Sequence, residues 1–192
     1  VRLIDDHLQV IINESDRLNL LVADLLTLSK MQSGVEWLHI KEFCLRDSIN
    51  SILYSYRFFS DQEGYRFTIY CDPAIAVTGD ETRIKQVLSN LVNNAVKYSG
   101  EDKEITITVT EKDGVVRCSV TDRGPGIPEH ELEHIWERYY KSSYVHSRNT
   151  EGTGLGLSIV KEILLLHGSA YGVESRVNEG STFWFELNSV SG

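Results

Sequence analysis

The first 32 residues repeat apolar side chains at alternating intervals of four and three. A helix with this period presents one apolar stripe, which is typical of a coiled-coil or bundle seam. Because Ile12, Leu21 and Leu28 widen the stripe, packing of the helix on its own domain is an alternative. We expect the helix to span residues 2–32 and to end at Gly34. The repeating positions are Ile4, Leu8, Ile11, Ser15, Leu18, Val22 and Leu25.

After Gly34, short alternating apolar segments are separated by turn residues and by helical patterns. Asp113-Gly114 between two β-branched alternations is a strong hairpin signal. Helices in blocks with hairpins indicate an α/β (α+β) sandwich of two layers, with helices on a mixed sheet. The predicted strands are residues 37–41, 66–70, 74–78, 105–110 and 115–121 and the pair AYGVES and STFWFEL. The predicted helices are residues 45–62, 81–98 and 155–167, with a short one at 129–137.

Composition narrows the range of functions. With 192 residues, of which 41% are hydrophobic and 24% charged, the chain is typical of a globular protein. A net charge of −9, with no basic cluster longer than two residues, argues against nucleic-acid binding, because such proteins neutralise phosphates with Lys and Arg. An anionic ligand would therefore need a metal ion and local amide groups.

Cysteine usage and the chain's start indicate a cytoplasmic piece of a longer protein. Cys44, Cys71 and Cys118 are scattered and lack metal-type spacing, so we expect buried, reduced thiols. No apolar run approaches the roughly 20 residues that cross a bilayer, and the N-terminus lacks a signal-peptide pattern. The chain begins at Val1 inside a helical pattern, and its single methionine is Met31.

The stretch SNLVNNAVKYSG places polar side chains on one helix face. Asn90, Asn94 and Lys97 are spaced by four and three, so two amides and an ammonium point the same way. An amide oxygen is a suitable hard ligand for Mg²⁺, which takes further ligands from water and substrate phosphates. The face therefore predicts a site for a polyanion with its metal, unless the asparagines are merely solvated helix surface.

Two glycine-rich turns follow. Asp122 opens the turn DRGPG directly after a strand, where a carboxylate can accept from an exocyclic amine such as that of adenine. The run from Gly152 to Leu157 lies at a helix N-terminus, where free amides and the helix dipole favour phosphate. This run is not a P-loop, and Ile159 fills the last glycine position of a dinucleotide fingerprint.

Taken in order, these stretches resemble the ATP-binding catalytic domain of sensor histidine kinases, in the superfamily that includes gyrase, Hsp90 and MutL. The resemblance covers about residues 36–187 and rests on five motifs, QVLSNLVNNAVKYSG, DRGPGIP, IWERYYKSS, GTGLGLSIVKEILLLHG and EGSTFWFEL. It implies a Bergerat-type fold in which a mixed sheet of about five strands packs on three helices. The helix with INESDRLNLLVADLLTLSKMQSG resembles the second helix of the kinase dimerisation domain. We therefore expect residues 1–34 to be that helix and residues 35–192 the ATP-binding domain.

The resemblance implies roles at matching positions. Asn94 would be the main Mg²⁺ ligand, with Asn90 beside it on the metal or the phosphates. Asp122 would bind the adenine amine, and Arg138 or Lys141 would touch the γ-phosphate. Other implied contacts of ATP are Lys97 on phosphate, Tyr98 beside adenine, Gly124 and Gly126 at the adenine wall, Gly152, Gly154 and Gly156 around the triphosphate, and Ile127, Thr153, Leu155, Leu157 and Thr182.

Two positions bear on the chemistry and the lid. Hydrolases of the superfamily have Glu where this chain has Asn90, and an amide cannot act as a general base at neutral pH, which favours phosphotransfer to histidine over hydrolysis. An ATPase, or a pseudokinase scaffold that only binds nucleotide, is the alternative. Glu151 replaces a common glycine of the lid, which we expect to be a mobile segment at residues 141–153.

The phosphoacceptor histidine of the family is missing. None of the six histidines stands in a motif like SHELRTP on a first dimerisation helix; His7, for example, is followed by Leu8. The resemblance implies a homodimer, a response regulator receiver domain and the chain's own missing acceptor helix as partners. It also implies that the chain is the cytoplasmic portion of a membrane-anchored sensor.

The sequence HELEH matches the zinc-protease motif HExxH in His130, Glu131 and His134. Such a motif needs a helix long enough to direct both imidazoles towards one metal, and a third ligand. Here Pro128 starts a short helix, and the family has a variable acidic stretch at this place. We therefore expect both histidines to be solvated and no zinc to bind.

Overall fold

The computed structural model describes residues 37–56, 62–142 and 153–190, and part of the N-terminal segment: Ile12, Glu14, Ser15, Leu18, Asn19, residues 21–29 and Met31. Some predictions fall outside these residues: Gly34, Glu151, Gly152 and most of the expected lid, residues 143–152.

The described residues form one mixed, open sheet of seven strands. Its order is β1-β3-β7-β5-β4-β2, and β6 pairs with the first half of β7. Within it β2 and β4 run parallel, and the other pairs are antiparallel. The expected number of about five is too low, because short β1 adds to the edge of β3 and β6 covers the part of β7 that β3 leaves unpaired. The strands are β1 (Lys41–Cys44), β2 (Arg66–Tyr70), β3 (Ala76–Gly79), β4 (Glu104–Lys112), β5 (Val115–Asp122), β6 (Tyr171–Arg176) and β7 (Gly180–Ser189).

Among the described residues, four helices accompany the sheet, and Gln62 and Glu63 are also helical. The N-terminal helix α1 includes residues 21–29, α2 is Leu45–Ser55, α3 is Glu81–Tyr98 and α4 is Gly156–Leu166. The prediction for α3 is confirmed. The predicted helix at 45–62 is not continuous, since α2 ends at Ser55; residues 57–61 lie outside the described residues, and Gln62 is helical. The predicted short helix at 129–137 is wrong: the segment forms two single 3₁₀ turns, Glu129–Glu131 and His134–Trp136.

The start of α3 is fixed by a network around Asp80. The Asp80 carboxylate caps the helix by accepting from the Arg83 N–H at 3.1 Å, and its other oxygen accepts from the His39 N–H at 2.9 Å. The Asp80 N–H in turn donates to Nε2 of His167 at 3.0 Å. The network therefore ties α3 to the end of α4 and to the chain that precedes β1.

The core lies between the helices and one face of the sheet. Strand β5 alternates half-buried and buried residues along its length, so its period of two directs every second side chain into this layer. Each fully buried aliphatic side chain contributes about 1.5–3 kcal/mol through removal from water. The buried face of α3 consists of Ile84, Val87, Leu88, Leu91, Val92 and Ala95.

The end of α1 packs on this core. Leu28 and Met31 are buried in it, and Leu21 packs partly against it. The seam residues Leu18 and Val22 are exposed. One face of α1 therefore packs on its own domain, as the alternative interpretation predicted, and the face with Leu18 and Val22 is exposed. The interpretation of that exposed face as a bundle seam stays a prediction.

Two observations bear on the earlier predictions about thiols and membranes. All three cysteines are free; Cys118 is buried as expected, but Cys44 and Cys71 are only half-buried because they lie at the ends of β1 and β2. Among the described helices, none has the length and hydropathy to span a bilayer.

Candidate functional site

A cavity of about 470 Å³ opens between α3, the turn after β5 and the start of α4. Its size is within the range of small-molecule sites. It brings together most of the predicted site residues from separate parts of the sequence. Those that line it are Asn90, Asn94, Lys97, Tyr98, Asp122, Gly126, Ile127, Lys141, Thr153, Gly154, Gly156 and Leu157.

Other predicted residues do not line the cavity. Leu155 is fully buried in the core, and Arg138 is exposed to solvent outside the cavity. Thr182 lies on the opposite face of β7, where its hydroxyl is hydrogen bonded to that of Thr121 at 3.0 Å. Gly124 lies behind Asp122 rather than at the cavity surface, and Gly152 is outside the described residues.

The polar face of α3 forms one wall. Burial of its apolar face fixes the rotation of the helix, so Asn90, Asn94 and Lys97 face the cavity. Asn90 donates through Nδ2 to the carbonyl of Gly156 at 3.3 Å, which joins α3 to the start of α4. Within the described residues the Asn94 side chain makes no hydrogen bond, so its amide group is available to a ligand.

Asp122 lies at the deep end of the cavity, at the end of β5. Only 4% of its surface is exposed. Burial raises the pKa of Asp122 to about 6, although hydrogen bonds from the backbone N–H groups of Gly124 and Ser181 act in the opposite direction. Above that pH the carboxylate is ionised and can accept from an amine brought by a ligand.

The turn after Asp122 requires its glycines. A Cβ on Gly124 would lie 1.8 Å from the carbonyl oxygen of Tyr98, at the end of α3. Gly126 has φ of +70°, and a Cβ there would lie 2.0 Å from the carbonyl oxygen of Arg176. The turn therefore packs its backbone against both α3 and β6, and this holds the Asp122 carboxylate in place.

The start of α4 forms the other end of the cavity, because it contacts Asn90, whereas the turn after Asp122 contacts Tyr98 at the end of α3. Gly154 has φ of +73° and its carbonyl accepts from the Tyr139 N–H at 2.9 Å. The hydroxyl of Thr153 accepts from the Leu155 N–H at 3.2 Å. The first amides of α4 and its dipole favour an anion here.

The HELEH segment has a role at the cavity that the motif did not predict. Its histidines lie on separate 3₁₀ turns with side chains mostly exposed, and His134 pairs with Glu137 at 2.8 Å. Glu131 is buried and hydrogen bonded to the hydroxyl of Tyr140, which lines the cavity. The ring of Tyr140 also stacks on His134, with 6.1 Å between centroids.

Among the described residues no group of three metal-type ligands occurs, and the absence of zinc stays a prediction.

Sequence reasoning missed several lining residues. The strand period could have found two of them: β5 and β7 pair Asp122 with Ser181, so Ser181 and Phe183 share the inner face and Thr182 does not. No local signal identifies Asp24, because its position depends on how α1 docks. The other missed residues are Asn93, Val96, Pro125, Ile135, Tyr140 and Ser142.

Sequence comparison identifies relatives of the whole chain. A family model described as histidine kinase-, DNA gyrase B-, and HSP90-like ATPase matches residues 79–191. Histidine kinase 5 of Arabidopsis thaliana is 35% identical over 209 residues, which cover 94% of this chain and 22% of that protein. Sensor histidine kinase WalK of Bacillus subtilis (strain 168) is 35% identical over 187 residues, which cover 94% of this chain and 30% of that protein. The chain therefore spans less than a third of either relative.

Solved structures share the fold. Full-length ShkA in complex with AMPPNP superposes with a TM-score of 0.81 at 27% identity, over 93% of this chain and 37% of that one. Histidine kinase ThkA in complex with the response regulator protein TrrA gives 0.76 at 33% identity, over 94% of this chain and 50% of that one. The two relatives described above are named histidine kinases. The family match, the sequence relatives and the shared fold show that the chain belongs to the histidine kinase-, DNA gyrase B- and HSP90-like ATPase family.

Proposed function

We propose that this chain binds Mg²⁺-ATP and donates the γ-phosphate to a histidine on a dimerisation helix, for relay to a response regulator. The observation that carries the proposal is one cavity with the buried Asp122 carboxylate at one end and the amide face of α3 with the start of α4 at the other. The first end suits a base with an exocyclic amine, and the second suits an anionic chain with its cation.

At the deep end, Asp122 accepts a hydrogen bond from the adenine amine. The N–H groups of Gly124 and Ser181 hold the carboxylate in place, so little reorganisation accompanies binding. Tyr98 and Phe183 line the cavity and supply apolar surface for the ring.

At the other end, the start of α4 receives the phosphates. Lys97 and Lys141 line this cavity and balance phosphate charge. Because Arg138 lies outside the cavity, Lys141 is the better candidate for the γ-phosphate contact. The free amide of Asn94 and the nearby amide of Asn90 fit a hard cation, and magnesium, when bound, would neutralise charge on the phosphates.

The amide of Asn90 favours transfer over hydrolysis. It cannot remove a proton from water at neutral pH, whereas an imidazole nucleophile already has a lone pair and needs no base. Positioning and charge neutralisation are what remain for the protein to supply, and the cavity provides both.

The proposal extends to the arrangement of the longer protein. Residues 1–34 would be the second helix of a dimerisation domain and residues 35–192 the ATP-binding domain. The exposed seam face of α1 would pack with the acceptor helix in a homodimer. Support for a response regulator as partner comes from the similar complex of ThkA with TrrA. Two relatives are named as sensors, and the proposal includes a membrane-anchored sensor with this domain in the cytoplasm.

Calorimetry with Mg²⁺-ATP, Mg²⁺-ADP and adenosine tests the binding site. Asn94→Ala should weaken nucleotide binding by about tenfold or more, and Asp122→Ala should weaken adenosine as well, because each removes a contact to a charged group or ion. Asn50→Ala and Asp47→Ala remove the same groups from exposed positions of α2 and serve as matched controls. Wild-type affinity in both site variants would refute the assignment.

Labelling with γ-³²P-ATP tests the reaction. The 192-residue chain should incorporate no label. A version extended by the proposed acceptor helix should form an acid-labile, base-stable phosphohistidine in that helix. Label on the short chain itself that disappears in His7→Gln would show that the acceptor was misplaced. Release of inorganic phosphate without labelling of the extended chain would favour the ATPase alternative.

A further inference from the structure

A carboxylate of α1 reaches the phosphate end of the cavity. Oδ2 of Asp24 accepts a hydrogen bond from the Thr153 hydroxyl at 3.1 Å, and Asp24 also lines the cavity. The same hydroxyl accepts from the Leu155 N–H, so it acts both as a donor and as an acceptor. Asp24 is thus linked through Thr153 to the residue that precedes α4.

The position of Asp24 is set by packing. Leu21, Asp24, Leu28 and Met31 recur at intervals of three and four, so they share one face of α1. Leu28 and Met31 are buried in the core of the domain and Leu21 packs partly against it. These apolar contacts hold the Asp24 carboxylate at the cavity when no ligand is present.

Asp24 has the opposite charge to the two lysines that line the cavity, Lys97 and Lys141. The first amides of α4 favour an anion beside Thr153, and among the described lining residues Asp24 and Asp122 are the two acids. Burial raises the pKa of Asp24, and the hydrogen bond from Thr153 lowers it. A carboxylate in this place repels phosphate oxygens across a partly desolvated gap, where charges interact more strongly than in water.

We propose that Asp24 lowers the affinity of this site for nucleotide phosphates and thereby couples the docking of α1 to nucleotide occupancy. The inference rests on the proposed function, because it needs the phosphates at the start of α4. Phosphates displace the carboxylate from Thr153, and α1 loses one of the contacts that hold it on the domain. By linkage, if bound nucleotide weakens the docking of α1 by some factor, undocking of α1 strengthens nucleotide binding by that same factor.

Asp24→Asn isolates the charge, because the amide keeps the size of the side chain and an oxygen that accepts from Thr153. The variant should bind ATP and ADP at least about fivefold more tightly, the lower end of typical coupling between sites. Its affinity for adenosine should not change, because adenosine has no phosphate. The gain should shrink at high salt, where the repulsion is screened. Glu14→Gln removes the same charge from an exposed position of the same helix and should change nothing.

Hydrogen exchange at residues 21–29 provides a second measurement on the wild-type chain. ATP should accelerate exchange there and adenosine should not, since only ATP competes for Thr153. Unchanged or weaker ATP binding by Asp24→Asn, with adenosine binding intact, would overturn the inference and leave the proposed function standing. If the wild-type chain bound neither ATP nor adenosine, both the inference and the proposed function would be overturned.

Discussion

The raised pKa of Asp122 predicts that folding and ligand binding respond to pH in opposite directions. Its value of about 6 in the folded chain exceeds the ordinary value of 3.8 by roughly two units, and each unit corresponds to about 1.4 kcal/mol. Because the folded pKa is the higher one, the contribution of Asp122 to stability is fully present below about pH 4. It is lost as the pH rises through about 6, at a cost of about 3 kcal/mol.

The proposed binding of adenosine through Asp122 requires the opposite ionisation state. A protonated Asp122 cannot offer two acceptor oxygens to an amine and to the neighbouring N–H groups at once. Adenosine affinity should therefore fall by about tenfold for each pH unit below about 6. Adenosine is the suitable ligand here, because it contains no phosphate that titrates in this range.

The assay compares urea unfolding of the ligand-free wild type and Asp122→Asn between about pH 3.5 and about pH 8. Other titrating groups contribute equally to both proteins, so the difference in unfolding free energy isolates Asp122. That difference should change by about 3 kcal/mol across the range, in favour of the variant at high pH. Asp47→Asn makes the same substitution at an exposed position of α2 and serves as the matched control. A difference for Asp122→Asn that does not change with pH would refute the reasoning.

Three further predictions concern Glu131, Gly126 and metal binding by the HELEH segment. Glu131→Ala should weaken nucleotide binding several-fold because Tyr140 loses its hydrogen bond, whereas calorimetry on the exposed neighbour variant Glu133→Ala should show no change. Gly126→Ala should reduce the unfolding free energy by at least about 2 kcal/mol more than Gly114→Ala. Both positions have positive φ, but a Cβ meets backbone at 2.0 Å only at Gly126, so equal losses would contradict the close contact. Metal analysis of protein purified without chelator should find no zinc; one zinc per chain that disappears in His130→Ala would show that HELEH is a metal site.

Much of the candidate site could be predicted because local sequence patterns determine where its residues lie. The polar face of α3 follows from helical spacing, and Asp122 is recognisable at the junction of a strand and a glycine turn. Thr182 was misplaced because a motif identifies a segment, whereas the pleat of the strand decides which side chain faces inward. The 3₁₀ turns of HELEH were taken for a helix because periodicity does not distinguish one turn from three.

Asp24 could not be predicted in this way. Its role depends on a contact between residues 24 and 153, across most of the chain, and no local pattern encodes that distance. The same holds for Glu131, whose neighbours in sequence suggest a metal ligand but whose burial beneath Tyr140 gives it a structural partner.

The close contact of the glycine turn with α3 has a consequence for inhibitors. At Gly124 and Gly126 any side chain would collide with the backbone of Tyr98 or Arg176, so neither position can gain bulk to exclude a drug. A compound that bonds to Asp122 would therefore lie beside a turn whose two glycines cannot be exchanged for larger residues unless the backbone moves.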